Sequence, residues 1–324
     1  VQNGGANEFQ CERCDTADFQ TWLTGNAEDA SPAKTEGALL LMGGSSDVDA
    51  AFHWFVKKAG GGDIVVLRAS GADGYNNYIF SKIGGVDSVE TFLCHNRNAS
   101  TDPTLLSRLR EAEGIWLAGG DQSRYVNYWK GTPVATALDA HVRAGKPLGG
   151  TSAGLAVLGE FSFSATETGT LTSAIALADP LDRRITLERD FLHLDLLRGV
   201  ITDSHFMPRA RMGRSLVFLA RLLADAPTRE PRARLIGIGL DEKTALALEP
   251  DGTGRIFTTA PAGRAWLMLP SKPAETLTAG RPITFRDVRV IALGPDSVLR
   301  LPTLAIEQPA ASSVISVIDG KLTP

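Results

Sequence analysis

The sequence predicts an α/β fold: a mostly parallel, doubly wound sheet followed by a β-rich C-terminal extension. Three observations predict it. Between residues 38 and about 250, apolar runs of strand length alternate with helical stretches. Several runs stop at small residues, Gly43-Gly44, Ser70-Gly71 and Gly119-Gly120, which put turns at strand carboxyl ends. After Pro250 the pattern changes to short strands and turns.

The elements follow in order. Residues 1–36, rich in Asn, Gly, Asp, Glu and Thr, read as an N-terminal arm in which Phe19, Trp22 and Leu23 would dock a short helix. Residues 38–42 form a buried strand, and Asp47 is placed to cap a helix through Lys58. Strands at 63–67, 86–93 and 114–118 alternate with helices at 76–83, 103–111, 123–129 and 132–144. Residues 161–190 are less regular and would cover the edge of the site. A strand at 197–203 leads into a helix carrying Arg209, Arg211 and Arg214. Residues 227–231 read as a loop, and 235–240 and 245–248 as strands. The expected division is an arm at 1–36, an α/β domain at 37–250, and an extension at 251–324 packed on that domain.

Composition excludes several classes. The chain is 43% hydrophobic and 22% charged with a formal net charge of −4, so nothing favours nucleic acid or an anionic membrane as partner. No apolar run is long enough to span a bilayer. Gly43-Gly44-Ser45-Ser46 lacks the spacing of a dinucleotide-binding loop. Cys11 and Cys14 form one C-x-x-C, read as a local disulfide ahead of free thiols or a metal; a disulfide would favour an exported, periplasmic or secreted compartment over the cytoplasm. A homodimer stays open.

The chemistry is organised around residues 146–158. A short apolar approach meets Gly149-Gly150, then Thr151-Ser152-Ala153-Gly154, then an apolar helical run. Gly150, Ser152 and Gly154 fit G-x-S-x-G, a strand–turn–helix elbow with the serine at its apex. Its neighbours must be small because the turn is tight and its backbone strained. A nucleophilic serine needs a base, and the base an orienting acid. Of five histidines, His53 and His141 fall in predicted helices as surface residues, His95 ends a strand, and His193 sits in an apolar setting as a packing residue. His205 ends a strand at the same sheet edge as Ser152 and is the preferred base. Asp203, Asp241 and Glu242 are the candidate acids. The order Ser, His, acid argues against the α/β-hydrolase arrangement, in which the acid falls between the other two.

Three blocks together, Gly150-Thr151-Ser152-Ala153-Gly154, Asp203-Ser204-His205-Phe206 with Arg209, Arg211 and Arg214, and the run from Gly237 to Ala245, resemble the cyanophycinase family of serine peptidases, whose relatives include aspartyl dipeptidases. The resemblance covers roughly residues 38–250. It implies a class I glutamine amidotransferase-like fold and a triad of Ser152, His205 and Glu242. It places a substrate-contacting glutamine at Gln122 and puts Asp203, Ser204, Arg209, Arg211 and Arg214 in the substrate pocket. Ser204 departs from the glutamine usual there. Backbone N–H groups of Ala153 and of Gly119 or Gly120 would hold the oxyanion. The implied substrate is an aspartyl peptide with β-linkages, in the limit cyanophycin, a poly-aspartate backbone bearing arginine on each side-chain carboxyl. The implied product is β-Asp-Arg, with neither metal nor organic cofactor. Guanidinium forks suit a carboxylate-rich backbone, and Asp203 would receive the substrate's arginine. A related isoaspartyl dipeptidase with a different pocket, and a catalytically silent module that binds anionic peptide, remain as alternatives.

Overall fold

The computed structural model describes residues 13–31, 34–225 and 235–324. Its centre is a five-stranded parallel array, in spatial order Ser88–Cys94, Asp63–Arg68, Gly114–Leu117, Leu148–Thr151 and Leu39–Met42. These strands are apolar on both faces, as a sheet covered on both sides requires. Alternation splits them cleanly. Leu39, Leu41, Val65, Leu67, Ile115 and Leu117 join one core, which includes Leu105 and Leu109 of helix Pro103–Glu111 and Val134 and Leu138 of helix Pro133–Arg143. Leu40, Met42, Ile64, Val66 and Trp116 join the opposite core with Phe52 and Phe55 of helix Asp49–Lys58. The centre is therefore doubly wound, but the expectation of a mostly parallel sheet is corrected: the sheets are only partly parallel, because the flanking strands pair antiparallel.

Parallel pairing stops at this centre. Phe19–Gly25 pairs antiparallel with Ser88–Cys94, and Thr244–Leu248 pairs antiparallel with Leu39–Met42. Beyond the latter, Thr253–Thr258, Val298–Arg300 and Ala305–Glu307 extend the sheet to eleven strands among the described residues. The arm segment expected to dock as a helix is thus the strand Phe19–Gly25: alternate positions Phe19 and Thr21 turn inward, and the Ser88–Cys94 edge supplies its hydrogen-bonding partner. The arm-end residue Cys11 lies outside the described residues, and the disulfide reading with it, as does the 227–231 loop. Cys94 is a free, buried cysteine whose thiol burial pushes up to about 12.

The strands Val200–Asp203 and Ile236–Leu240 do not continue the main sheet. They pair in parallel with each other and, with Phe161–Phe163, Leu187–Arg189 and the antiparallel strands Ala265–Leu269, Phe285–Leu293, Ala311–Ile318 and Lys321–Thr323, build a second sheet of eight strands among the described residues. Strands after residue 251 therefore join both sheets. Where the sheets meet, backbone bonds tie them together: His205 N–H to Gly43 O at 2.8 Å and Lys243 N–H to Gly44 O at 3.0 Å. No helix among the described residues is long and apolar enough to cross a membrane.

Two local expectations change. Helix Asp49–Lys58 is preceded by Val48 without a side-chain cap, and Asp47 instead accepts from Tyr75 Oη at 2.9 Å. Arg209 and Arg211 lie in the turn before helix Met212–Ala224, so of the three arginines only Arg214 is helical.

Candidate active site

Ser152 stands where strand Leu148–Thr151 breaks into the single helical turn Ala153–Ala156, shorter than the run to Leu158 suggested. Its backbone is at φ 54°, ψ −110°, a strained geometry for a residue with a Cβ. The small neighbours are steric requirements: a Cβ on Gly150 would lie 2.7 Å from the Gly154 carbonyl carbon, and one on Gly154 would collide with Leu117 O. Ser152 N–H bonds Met42 O at 3.1 Å, which fixes the serine beside the first strand's end.

The structure brings the side chains of Ser152, His205 and Glu242 together. Ser152 Oγ lies 2.8 Å from His205 Nε2, and His205 Nδ1 lies 2.7 Å from Glu242 Oε1. His205 closes strand Val200–Asp203 and Glu242 follows strand Ile236–Leu240, so the parallel pairing of these two strands sets base beside acid. Phe206 anchors the base: its ring packs directly on Gly239, where a Cβ would lie 2.5 Å from the ring. Asp241, a candidate acid, turns away from the imidazole and accepts from Met207 N–H at 2.8 Å, Arg264 N–H at 3.1 Å and Trp266 Nε1 at 3.0 Å. It braces the loops on both sides of the base.

Sequence reasoning brought Gly43-Gly44 to this edge but missed what Gly44 does. A Cβ there would sit 2.5 Å from His205 Cε1 and Nε2, and Gly44 adopts φ +96°. The imidazole lies flush against bare backbone. Gly44→Ala is expected to lower kcat on the order of 100-fold by displacing the ring, since misplacement of a reacting group by about 1 Å costs about that much. Steady-state kinetics beside a thermal melt checks this.

Burial holds the His205 pKa below its ordinary value; the Arg209 and Arg211 cations push the same way, and the Glu242 carboxylate opposes them. The imidazole is therefore biased toward its neutral form, able to accept a proton. Activity limited by this base should rise with pH through the His205 pKa. Arg209→Ala removes a cation that disfavours imidazolium, so the acidic limb of the kcat/KM profile should move to higher pH. Arg209 is half exposed, so added salt should shrink the difference between variant and wild type.

Gly119 and Ala153, two of the residues expected to hold an oxyanion, lie beside Ser152. Gly119 lies against the nucleophile, a Cβ on it falling 3.5 Å from Ser152 Cβ. The N–H groups of Gly119, Gly120 and Ala153 have no acceptor among the described residues. Tyr125 Oη donates to Ala118 O at 2.7 Å and holds the loop from beneath. Gln122 opens helix Gln122–Trp129 and reaches across to the second sheet, with Nε2 3.5 Å from Phe163 O.

The remaining pocket residues divide. Asp203 is buried, and its oxygens accept from Arg214 Nη2 at 2.7 Å, Arg214 Nε at 2.8 Å, Arg211 Nη1 at 3.0 Å, Ser215 Oγ at 3.1 Å and Ser204 N–H at 2.9 Å. It is saturated, so the expectation that Asp203 receives a substrate arginine is replaced by an internal ion cluster. Arg214, 5% exposed, stacks over Phe163 and Phe218 and is committed to Asp203 rather than to solvent. Ser204 is buried, with Oγ and carbonyl both facing Arg211. Arg211 is held down to about 10 by burial, with the positive Arg214 and Arg209 adding to the effect against Asp203. Arg209 alone of the three presents an exposed guanidinium.

Two other histidines exchange roles. His141 is buried, its Nε2 3.0 Å from Pro147 O beneath the elbow strand, and burial drives its pKa down to about 3. His193 is exposed and pairs with Asp139 Oδ2 at 2.7 Å.

The model for Peptidase family S51 matches residues 79–255, more than half of the chain, and its span contains Ser152, His205 and Glu242. A cyanophycinase of Synechococcus elongatus is 31% identical over 232 residues, covering 68% of this chain and 66% of the relative, just under two thirds of its length. A cyanophycinase of Trichormus variabilis is 28% identical over 275 residues, covering 80% and 84%. The crystal structure of a peptidase from an acI-B1 Actinobacterium superposes with a TM-score of 0.54 at 16% identity, over 83% of this chain and 99% of that one, and so shares the fold. With more than half of its length matched by the family model, the chain belongs to Peptidase family S51, a family of serine peptidases.

Proposed function

We propose that the protein is a serine-type exopeptidase that degrades aspartyl peptides carrying β-linked arginine, of which cyanophycin is the polymeric case. The observation that carries the reading is the continuous relay Ser152 Oγ–His205 Nε2, His205 Nδ1–Glu242 Oε1, at 2.8 and 2.7 Å. The similarity to cyanophycinases supports the substrate class, and the reading sits on a class I glutamine amidotransferase-like fold.

The residues imply the following steps. His205 accepts the Ser152 proton as Oγ attacks the scissile carbonyl, and Glu242 stabilises the imidazolium that results. The carbonyl oxygen becomes an anion facing the N–H groups of Gly119, Gly120 and Ala153, each such donor being worth about 3 kcal/mol in the transition state. His205 returns its proton to the leaving amine, which departs and leaves an acyl-Ser152 ester. Water, deprotonated by His205, then releases the acid and regenerates the serine. Release of β-Asp-Arg leaves the β-linkage intact, so the bond broken in the polymer is the backbone amide between neighbouring aspartates. The exposed Arg209 and the partly exposed Arg211 are the guanidinium groups available to the substrate's carboxylates.

The short Ser204 hydroxyl, held by Arg211, favours a second reading: a pocket shaped for an isoaspartyl dipeptide. Product analysis separates the two. Digestion of cyanophycin with accumulation of β-Asp-Arg supports the first reading. Inertness toward polymer, with β-Asp-Arg itself split to aspartate and arginine, supports the second. Tight binding of anionic peptide with neither reaction and no labelling of Ser152 by a fluorophosphonate returns the chain to a binding module.

A further inference from the structure

We infer that Ser70 is a substrate-positioning residue, its hydroxyl forming the side of the oxyanion loop that meets the acyl half of the peptide. The inference deepens the peptidase reading and rests on it. Ser70 follows strand Asp63–Arg68, and the loop it opens is rigidly built. Arg68 Nε donates to Ser70 O at 2.6 Å, Arg68 Nη1 donates to Ala72 O, and Arg124 Nη1 donates to Ala69 O at 3.0 Å. A Cβ on Gly71, at φ +96°, would run into the Arg68 guanidinium. Three carbonyls of the loop are therefore held by arginines, which fixes the chain at Ser70.

The hydroxyl is the polar group left over. A Cβ built on Gly120 would lie 2.6 Å from Ser70 Oγ, so the serine fills the space where residue 120 would carry a side chain. Gly119, one residue back, lies against Ser152. The order across the cleft is thus Ser152, Gly119, Gly120, Ser70. Ser70 is half-buried, and its hydroxyl has no partner among the described residues. Tyr125 Oη, the other hydroxyl near Gly120, already donates its proton to Ala118 O. A carbonyl oxygen held by the Gly119 and Gly120 N–H groups puts the neighbouring atoms of the acyl residue beside Ser70. The ligand chemistry is an oxygen acceptor, amide or carboxylate, on that residue.

The test compares wild type and Ser70→Ala on cyanophycin and on β-Asp-Arg, together with the rate at which a small fluorophosphonate labels Ser152. The probe engages nucleophile and oxyanion donors but has no acyl-side amide. Loss of one hydrogen bond to substrate is expected to raise KM about tenfold, the effect of a typical to strong hydrogen bond, with a much smaller change in kcat and in labelling rate. Unchanged KM in an active protein overturns the inference. So does a parallel fall of kcat and labelling rate, which would make Ser70 a prop for the Gly119-Gly120 loop. A wild-type chain that neither cleaves nor labels overturns the peptidase reading and this inference with it, an outcome distinct from the other two.

Discussion

Ser152→Ala is expected to reduce turnover of the aspartyl peptide by ~10⁴–10⁶-fold, the range for a triad that acts as one unit. The size follows from what is left. His205 would keep its bond to Glu242, and Gly119, Gly120 and Ala153 their N–H groups, so the variant retains charge stabilisation without a nucleophile. KM should change little, because the Ser152 side chain is a small part of the binding surface. Glu242→Gln tests the relay from the other end. An amide can donate as well as accept, which permits the tautomer with its proton on Nε2, facing Ser152 Oγ, and about 10⁴-fold should be lost with the fold intact. Single-turnover kinetics with mass spectrometry of the acyl-enzyme checks both. A Ser152→Ala protein that still releases product at the wild-type rate would overturn the mechanism.

Much of this site is legible in the sequence, because its requirements are local. The elbow pattern itself is short, since Gly150 and Gly154 press on each other within five residues, and strand ends followed by His205 and Glu242 mark one sheet edge. What is not legible is which sheet a strand joins. Residues 200–203 and 236–240 read as apolar strands like the others, but pairing is a long-range property, and they leave the main sheet for a second one. That departure lets the base and acid approach Ser152 from the side, over Gly44, rather than from a neighbouring strand of the same sheet.

The histidines show a signal that was present and overlooked. Val134, Leu138 and His141 fall at i, i+4 and i+7, which is the inward face of a helix, and His141 is buried there. His193 has leucines on both sides, yet in an extended stretch neighbours point oppositely: Leu192 and Leu194 are buried and His193 faces outward. The arginine block misled for a related reason. The sequence reading puts all three arginines on one helix, but helix Met212–Ala224 begins after Arg211, so only Arg214 follows helical geometry, and it turns inward to Asp203.

That inward turn makes Asp203 the position where a change should cost most stability. Asp203→Ala would leave the Arg214 guanidinium, 5% exposed, without its carboxylate and would weaken the hold on Arg211. Breaking a buried pair by removing one partner costs about 3–5 kcal/mol, because the surviving charge is neither solvated nor paired. The midpoint of urea unfolding should fall accordingly with the slope unchanged. The pH dependence has a definite sign. Burial alone would raise the Asp203 pKa, but Arg214, Arg211 and the Ser204 N–H outweigh it and hold the carboxyl below its ordinary value. A carboxyl with a depressed folded-state pKa contributes stability above its unfolded pKa and loses it as pH falls through the folded one. The wild-type protein should therefore carry a steep loss of stability in strong acid that Asp203→Asn lacks. The same variant should be impaired in catalysis at neutral pH even where it remains folded. Asp203 and Arg211 fix both the N–H and the carbonyl of Ser204, the residue that hands the chain to His205 at φ 45°. Loosening that residue lets the imidazole leave Ser152, so kcat should fall while fluorophosphonate labelling slows in step.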